Sequence, residues 1–222
     1  MRDNFARCLS LALVSEGGFS NHPNDAGGAT MKGITLEAYR GHENNNRLTA
    51  DNLRHISDAK VAEVYRVGYW AKSNCDALPA GPDYALFDYC LNSGYGRANK
   101  AAQKIVGVTQ DRAIGPVTVA AIKAYGDRKF VVDLCAERLA FMKRAKNSKT
   151  GKPLWVDFGR GWQARVDGVV RDATAMVGVV VAPASPVRPQ PDDPGPTPRP
   201  TPPRPTLWEN LIAAIASIFR GR

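Results

Sequence analysis

Eleven of the chain's 16 prolines fall between Ala182 and Thr206, a stretch without apolar periodicity. Proline locks φ and removes a backbone donor, so a run this dense is an extended, semi-rigid linker and cannot be part of a packed core. It confines the globular unit to residues 1 to about 181 and separates it from a tail at 207–222. Of 222 residues, that leaves room for one sizeable core and not for two large domains.

Within the globular unit, helical spacing dominates. Phe5, Cys8, Leu9, Ala12 and Leu13 recur on one face behind an Asp3 N-cap, and Gly17-Gly18 supplies the stop. The Gly-, Asn- and Asp-rich residues from Phe19 to Thr35, with Gly33-Ile34-Thr35 at their end, suit a small hairpin. Thr49 and Ser57 have the chemistry of N-caps, and Val61, Val64, Tyr65 and Gly68 continue one face up to Tyr69-Trp70. Further helices are expected around 83–92, 97–106, 116–125, 128–146 and 159–177, with Gly and Pro clusters between them. The expected fold class is mainly α, with one small β-hairpin near the N-terminus.

Lys and Arg number 30 against 21 Asp and Glu, so the net charge of +9 favours an anionic polymer as partner. No basic run or basic-aromatic repeat of the nucleic-acid-binding kind is present, which sets nucleic acid aside. Cys8, Cys75, Cys90 and Cys135 form no CxxC pair, and Cys8, Cys90 and Cys135 lie in apolar helical patterns, where cysteine packs as a small hydrophobe; a disulfide stays open. His22, His42 and His55 have no metal-ligand spacing, so neither a metal nor another cofactor is expected. The opening residues carry no signal-peptide pattern, which leads to the expectation of synthesis in the cytoplasm and action in the periplasm or cell wall.

The residues with the most chemical promise begin at Glu16. Four residues after Ala12 and three after Leu13, it is expected to continue the buried stripe of the first helix, where burial and the negative helix end both raise a carboxyl's pKa. Alone, a helix-terminal glutamate is as readily a solvent-facing one. Asp25 follows in the turn-forming segment Asn24-Asp25-Ala26-Gly27-Gly28, able to bring a second carboxylate opposite the first, and Thr30 is placed to hold a water. Paired carboxylates are what glycoside hydrolysis needs: one protonated to serve the leaving oxygen, one charged to activate water or steady an oxocarbenium-like transition state. An Asx-turn role for Asp25 and a strand role for Thr30 are the structural alternatives.

The string Glu16-Gly17-Gly18-Phe19-Ser20-Asn21, Pro23, Asp25, Gly27-Gly28, Thr30 and Gly33-Ile34-Thr35 resembles the signature of glycoside hydrolase family 108, a family of N-acetylmuramidases. The Glu, Asp, Thr order is also similar to that of phage T4-type lysozymes, where the Asp-to-Thr gap is one residue longer. The resemblance continues through Tyr69-Trp70, Asp88-Tyr89-Cys90-Leu91-Asn92-Ser93-Gly94, Ala102-Gln103, Ile114-Gly115-Pro116, Glu137-Arg138 and Gly161-Trp162-Gln163-Ala164-Arg165. It implies a lysozyme-like bilobal fold that cleaves the β-1,4 bond between N-acetylmuramic acid and N-acetylglucosamine in peptidoglycan, for cell lysis or wall remodelling. Glu16, Asp25 and Thr30 would be catalytic, in a half spanning 1–78. The helical half, 79–181, resembles a peptidoglycan-binding module integrated into the same fold. There Asn92, Tyr95 and Gln103, and less so Asp88, are candidates for lining the substrate groove. A lytic transglycosylase and a non-catalytic wall-binding protein are the alternatives; the oligomeric state is left open.

In the tail, Trp208, Leu211, Ile212, Ile215, Ile218 and Phe219 recur at helical spacing ahead of Arg220 and Arg222. A helix from Leu207 to Phe219 would be about 20 Å long, short of the roughly 30 Å hydrocarbon core. The expectation is a helix lying in a membrane interface or docking on a protein.

Overall fold

The computed structural model describes residues 4–14, 16–21, 28–147 and 150–178. The expected Asp3 cap, Asp25, the 182–206 linker and the 207–222 helix lie outside the described residues. Helix α1 (Asn4–Leu13) buries Cys8, Leu9 and Ala12, three positions of the face read from the sequence. A two-stranded antiparallel sheet follows, β1 (Thr30–Met31) and β2 (Ile34–Thr35), in register Thr30 to Thr35 and Met31 to Ile34. Its turn residues, Lys32 and Gly33, have φ of 48° and 76°. Positive φ at both positions is the turn whose twist matches paired strands, which is why a glycine stands at the second.

Thr35 ends β2 and, with its side chain accepting from the Ala38 amide, starts helix α2 (Leu36–Glu43). This helix is additional to those read from the sequence. It buries no residue completely, so it has too little of an apolar stripe to announce itself. Thr49 opens α3 (Ala50–Arg54) with a reciprocal capping box to Asn52, and Ser57 caps α4 (Asp58–Tyr65). The apolar face of α4 is carried on to Trp70 by a wider π-type turn, Arg66–Trp70, and two short 3₁₀ turns then lead to the central helix.

That helix, α5 (Pro82–Ser93), is buried along its whole length except at Leu91. It packs against α1, α6 (Tyr95–Ile105), α8 (Asp127–Arg144) and α9 (Trp155–Met176), with α7 (Pro116–Tyr125) against α8. A helix enclosed on all sides has no solvent face for its polar residues, so Asp83, Asp88 and Asn92 must find partners inside. Helices α8 and α9 lie along each other, joined by a loop that an antiparallel bridge between Lys146 and Pro153 closes. One apolar cluster runs through the described residues from Cys8 to Met176. Phe5, Trp70 and Phe87 meet edge to face within it, with centroids 5.3 to 6.0 Å apart. Trp70 and Trp162 are core residues, and all four cysteines are buried free thiols.

Candidate active site

Glu16 lies three residues beyond the end of α1 and is not a continuation of that helix. Its N–H still bonds the Leu13 carbonyl at 3.0 Å, but the hairpin sets its place. The Lys32 amide donates to the Gly17 carbonyl at 3.2 Å, and Ser20 and Thr30 exchange both backbone bonds at 2.9 and 2.8 Å. Residues 17–20 are thus tied to the hairpin by an isolated Ser20–Thr30 bridge and the Lys32–Gly17 bond, and these bonds rather than helical phase place Glu16. The outcome expected from the sequence, a buried carboxyl, is reached by this other route: the Glu16 side chain is 2 % exposed.

The carboxyl rests against the turn. A Cβ on Gly33 would overlap Glu16 Oε2 outright, and would stand 2.9 Å from Glu16 Cδ and 2.5 Å from the Tyr65 hydroxyl oxygen. That hydroxyl donates to the Lys32 carbonyl at 2.6 Å, tying α4 to the turn. Behind the carboxyl stands Arg165 of α9, whose Nη1 donates to Glu16 Oε1 at 3.3 Å. The same guanidinium grips Asp88 of α5, Nε at 3.1 and 3.2 Å from the two oxygens and Nη2 at 2.8 Å from Oδ2. Arg138 of α8 completes the cluster, donating from Nη1 to Asp88 Oδ1 at 2.6 Å.

Burial pushes the Asp88 carboxyl up, but Arg165 and Arg138 outweigh it and hold the group at about 2. Burial lowers the proton affinity of Arg165, yet Asp88 and Glu16 more than reverse this and raise it. Burial, and then the nearby Glu16 charge, push the hydroxyls of Tyr65 and Tyr69 above the usual tyrosine range, so both stay neutral hydrogen-bonding groups.

The other predicted site residues fall as follows. Thr30 is buried on β1, two residues from the Lys32-Gly33 turn. Asn92 is buried on α5, where its Oδ1 accepts from the Ser93 hydroxyl while its Nδ2 has no partner among the described residues. Tyr95 is exposed at the start of α6. Gln103 is 1 % exposed and its amide is fully engaged: Nε2 donates to Asp111 Oδ1 at 2.6 Å and to the Ala113 carbonyl at 2.9 Å, and Oε1 accepts from the Arg112 amide. These bonds anchor the 111–113 loop. Asp88, read as a groove residue or a backbone cap, does neither; it is an interior ion partner.

Arg165 and Arg138 carried a signal that had no role assigned to it. On α9, Arg165 adjoins the buried Trp162, Val166 and Val169; on α8, Arg138 falls between the buried Leu134 and Met142 at four-residue steps. A guanidinium on an apolar stripe requires a buried anion. Which anion, helical phase alone does not say. Among the described residues no cluster of His, Cys, Asp and Glu could hold a metal ion.

The family model for glycosyl hydrolase 108 matches residues 9–94, a span that includes Glu16, Asp25 and Thr30. SagA of Brucella abortus is similar in structure, with a TM-score of 0.71 and 36 % identity, over 81 % of this chain and 99 % of that one. The chain belongs to the glycosyl hydrolase 108 family. As a member it has a mainly α, lysozyme-like fold and is a glycoside hydrolase, a peptidoglycan-degrading N-acetylmuramidase. No curated protein matches it. The family match ends just after α5, so Arg138 and Arg165 reach the Glu16 region from helices beyond the matched span.

Proposed function

We propose that Glu16 is the general acid of this muramidase, with Asp25 as its charged partner and Thr30 as the residue that holds the attacking water. The supporting observation is the placement of the Glu16 carboxyl, almost fully enclosed where the hairpin meets α9 and in contact with the Arg165 guanidinium. In the protonated form it delivers its proton to the glycosidic oxygen as the bond from C1 of N-acetylmuramic acid breaks, leaving positive charge at C1. The Asp25 carboxylate then either takes a proton from water attacking C1, which inverts the anomeric centre, or steadies the cation until water arrives. Tyr95, exposed at the start of α6, serves the sugar chain, and Asn92, buried on α5 three residues before it, supports that side from the interior. Gln103 supports that side through its loop.

The test is lysis of purified cell-wall suspensions. Glu16→Gln keeps the shape of the side chain and removes the transferable proton, so it is expected to abolish turbidity loss while the circular dichroism spectrum stays unchanged; near-normal lysis refutes the role. Asp25→Asn is expected to reduce activity substantially. Mass spectrometry of the released muropeptides distinguishes hydrolysis, which leaves reducing ends, from transglycosylation, which leaves anhydromuramic ends. For residues 207–222 we propose peripheral binding to anionic membrane, on the apolar spacing and terminal arginines alone. Equal liposome co-sedimentation with and without the segment would sink that part. The biological setting follows as cell lysis or wall remodelling.

A further inference from the structure

Glu16, Arg165, Asp88 and Arg138 form one buried chain of alternating charge, each side chain 1 to 7 % exposed. The contacts along it are uneven. Arg165 approaches Asp88 at 2.8, 3.1 and 3.2 Å and Glu16 at 3.3 Å, and Asp88 also receives Arg138 at 2.6 Å. An arginine seated squarely on a catalytic acid would hold it ionised and spoil it as a proton donor. Here the guanidinium is turned toward a second carboxylate, on α5, which the reading of Glu16, Asp25 and Thr30 does not use.

We propose that Asp88 is a positioning residue for the glycosidase reaction: by engaging Arg165 it weakens that cation's stabilisation of the ionised Glu16 carboxylate, and so sets the pH range in which Glu16 acts as an acid. The inference rests on Glu16 being the general acid. Asp88 is suited to the task because two arginines keep it charged throughout any working range, so its influence is constant. Among the described residues, the other groups facing Glu16 do not substitute for it. Tyr65 on α4 and Tyr69 on the π-type turn stay neutral. The hairpin brings Gly33 and the Lys32 carbonyl, while the Lys32 ammonium pairs with Asp58. Asp25 lies outside the described residues and is retained in every variant below.

The direction of the effect follows from the chemistry. A general acid works only while protonated, so activity falls as pH rises through its alkaline limb. Asp88→Asn removes a negative charge and leaves Arg165 uncompensated, so Glu16 gives up its proton at lower pH and the limb moves acidward. Arg138→Met removes a positive charge and moves it the other way. The experiment is the pH profile of turnover on solubilised peptidoglycan fragments, with circular dichroism to confirm folding. For D88N the limb is expected to shift by about one pH unit, a roughly tenfold loss of turnover above the limb with little change below it. R138M shifts the opposite way, and D88E, which keeps the charge, retains the original limb.

A folded D88N that loses activity equally at every pH, with its limb in place, overturns the proposal. If D88N does not fold, R138M decides, and an unmoved limb there overturns it equally. Failure of the parent reading is distinguishable: active E16Q removes the acid itself, whereas inactive E16Q with unmoved limbs removes only the role of Asp88.

Discussion

Gly33→Ala tests the link between hairpin and site most directly, because one methyl group meets both the Glu16 carboxyl and the Tyr65 hydroxyl. Three effects combine. At φ +76° an L-residue costs about 1 to 2 kcal/mol, and the less flexible unfolded chain returns about 0.5 kcal/mol. The methyl stands 2.5 Å from the Tyr65 oxygen, closer than any real contact allows, so the hydroxyl must leave the Lys32 carbonyl, at about 1 kcal/mol for that hydrogen bond. The net destabilisation is about 1.5 to 2.5 kcal/mol. The carboxyl must also retreat, and a displacement near 1 Å at a reacting group costs about a hundredfold in rate.

Gly107→Ala is the matched control. Its φ of +72° carries the same backbone penalty, with nothing within 4 Å of the added methyl. Urea titration is expected to place G33A about 1 kcal/mol below G107A, and turbidity assays on folded protein to show the rate loss in G33A alone. Equal stability and equal lysis of the two variants would refute the packing of Glu16 against the turn.

Further expectations concern the interior. Burial pushes the Asp83 carboxyl up to about 6 even though Asn4 and the amides of Gly81 and Tyr84 donate to it. A carboxyl raised on folding favours the protonated native state, so its contribution is fully present below about pH 4 and is lost as pH rises through about 6. Urea titrations across pH 4 to 7 are expected to show wild type losing about 3 kcal/mol relative to Asp83→Asn; parallel curves refute it. Burial pushes the Cys90 and Cys135 thiols up to about 12 and also raises those of Cys8 and Cys75, so a thiol reagent is expected to label none in the native protein and all four in guanidinium. Gln103→Ala leaves the Arg112 amide and the Ala113 carbonyl without their side-chain partner and is expected to lower stability by about 2 kcal/mol. A raised KM at unchanged melting temperature would instead return Gln103 to the groove.

Much of this protein is visible in residue order because its causes are local. The apolar spacing of α1, the caps at Thr49 and Ser57, and the Gly and Pro punctuation around α5 to α9 act within a few residues of themselves, and the helices appear close to where that spacing puts them. The motif at Glu16 is likewise contiguous, which is why the family and its chemistry are legible before any fold is known. What tertiary structure alone decided is the company Glu16 keeps. Its place comes from the bonds that tie residues 17–20 to the hairpin, while Arg165 stands 149 residues away along the chain. Asp88 and Gln103, polar residues on buried helix faces, could each have served substrate or interior, since helical phase says that a side chain is enclosed and not what encloses it. Only the packing of α5, α8 and α9 brings Arg138, Asp88 and Arg165 into one ionic chain behind Glu16. The reason is physical: periodicity and capping are fixed by backbone geometry over one or two turns, whereas charge compensation in a low-dielectric interior depends on which distant groups the fold brings within about 3 Å.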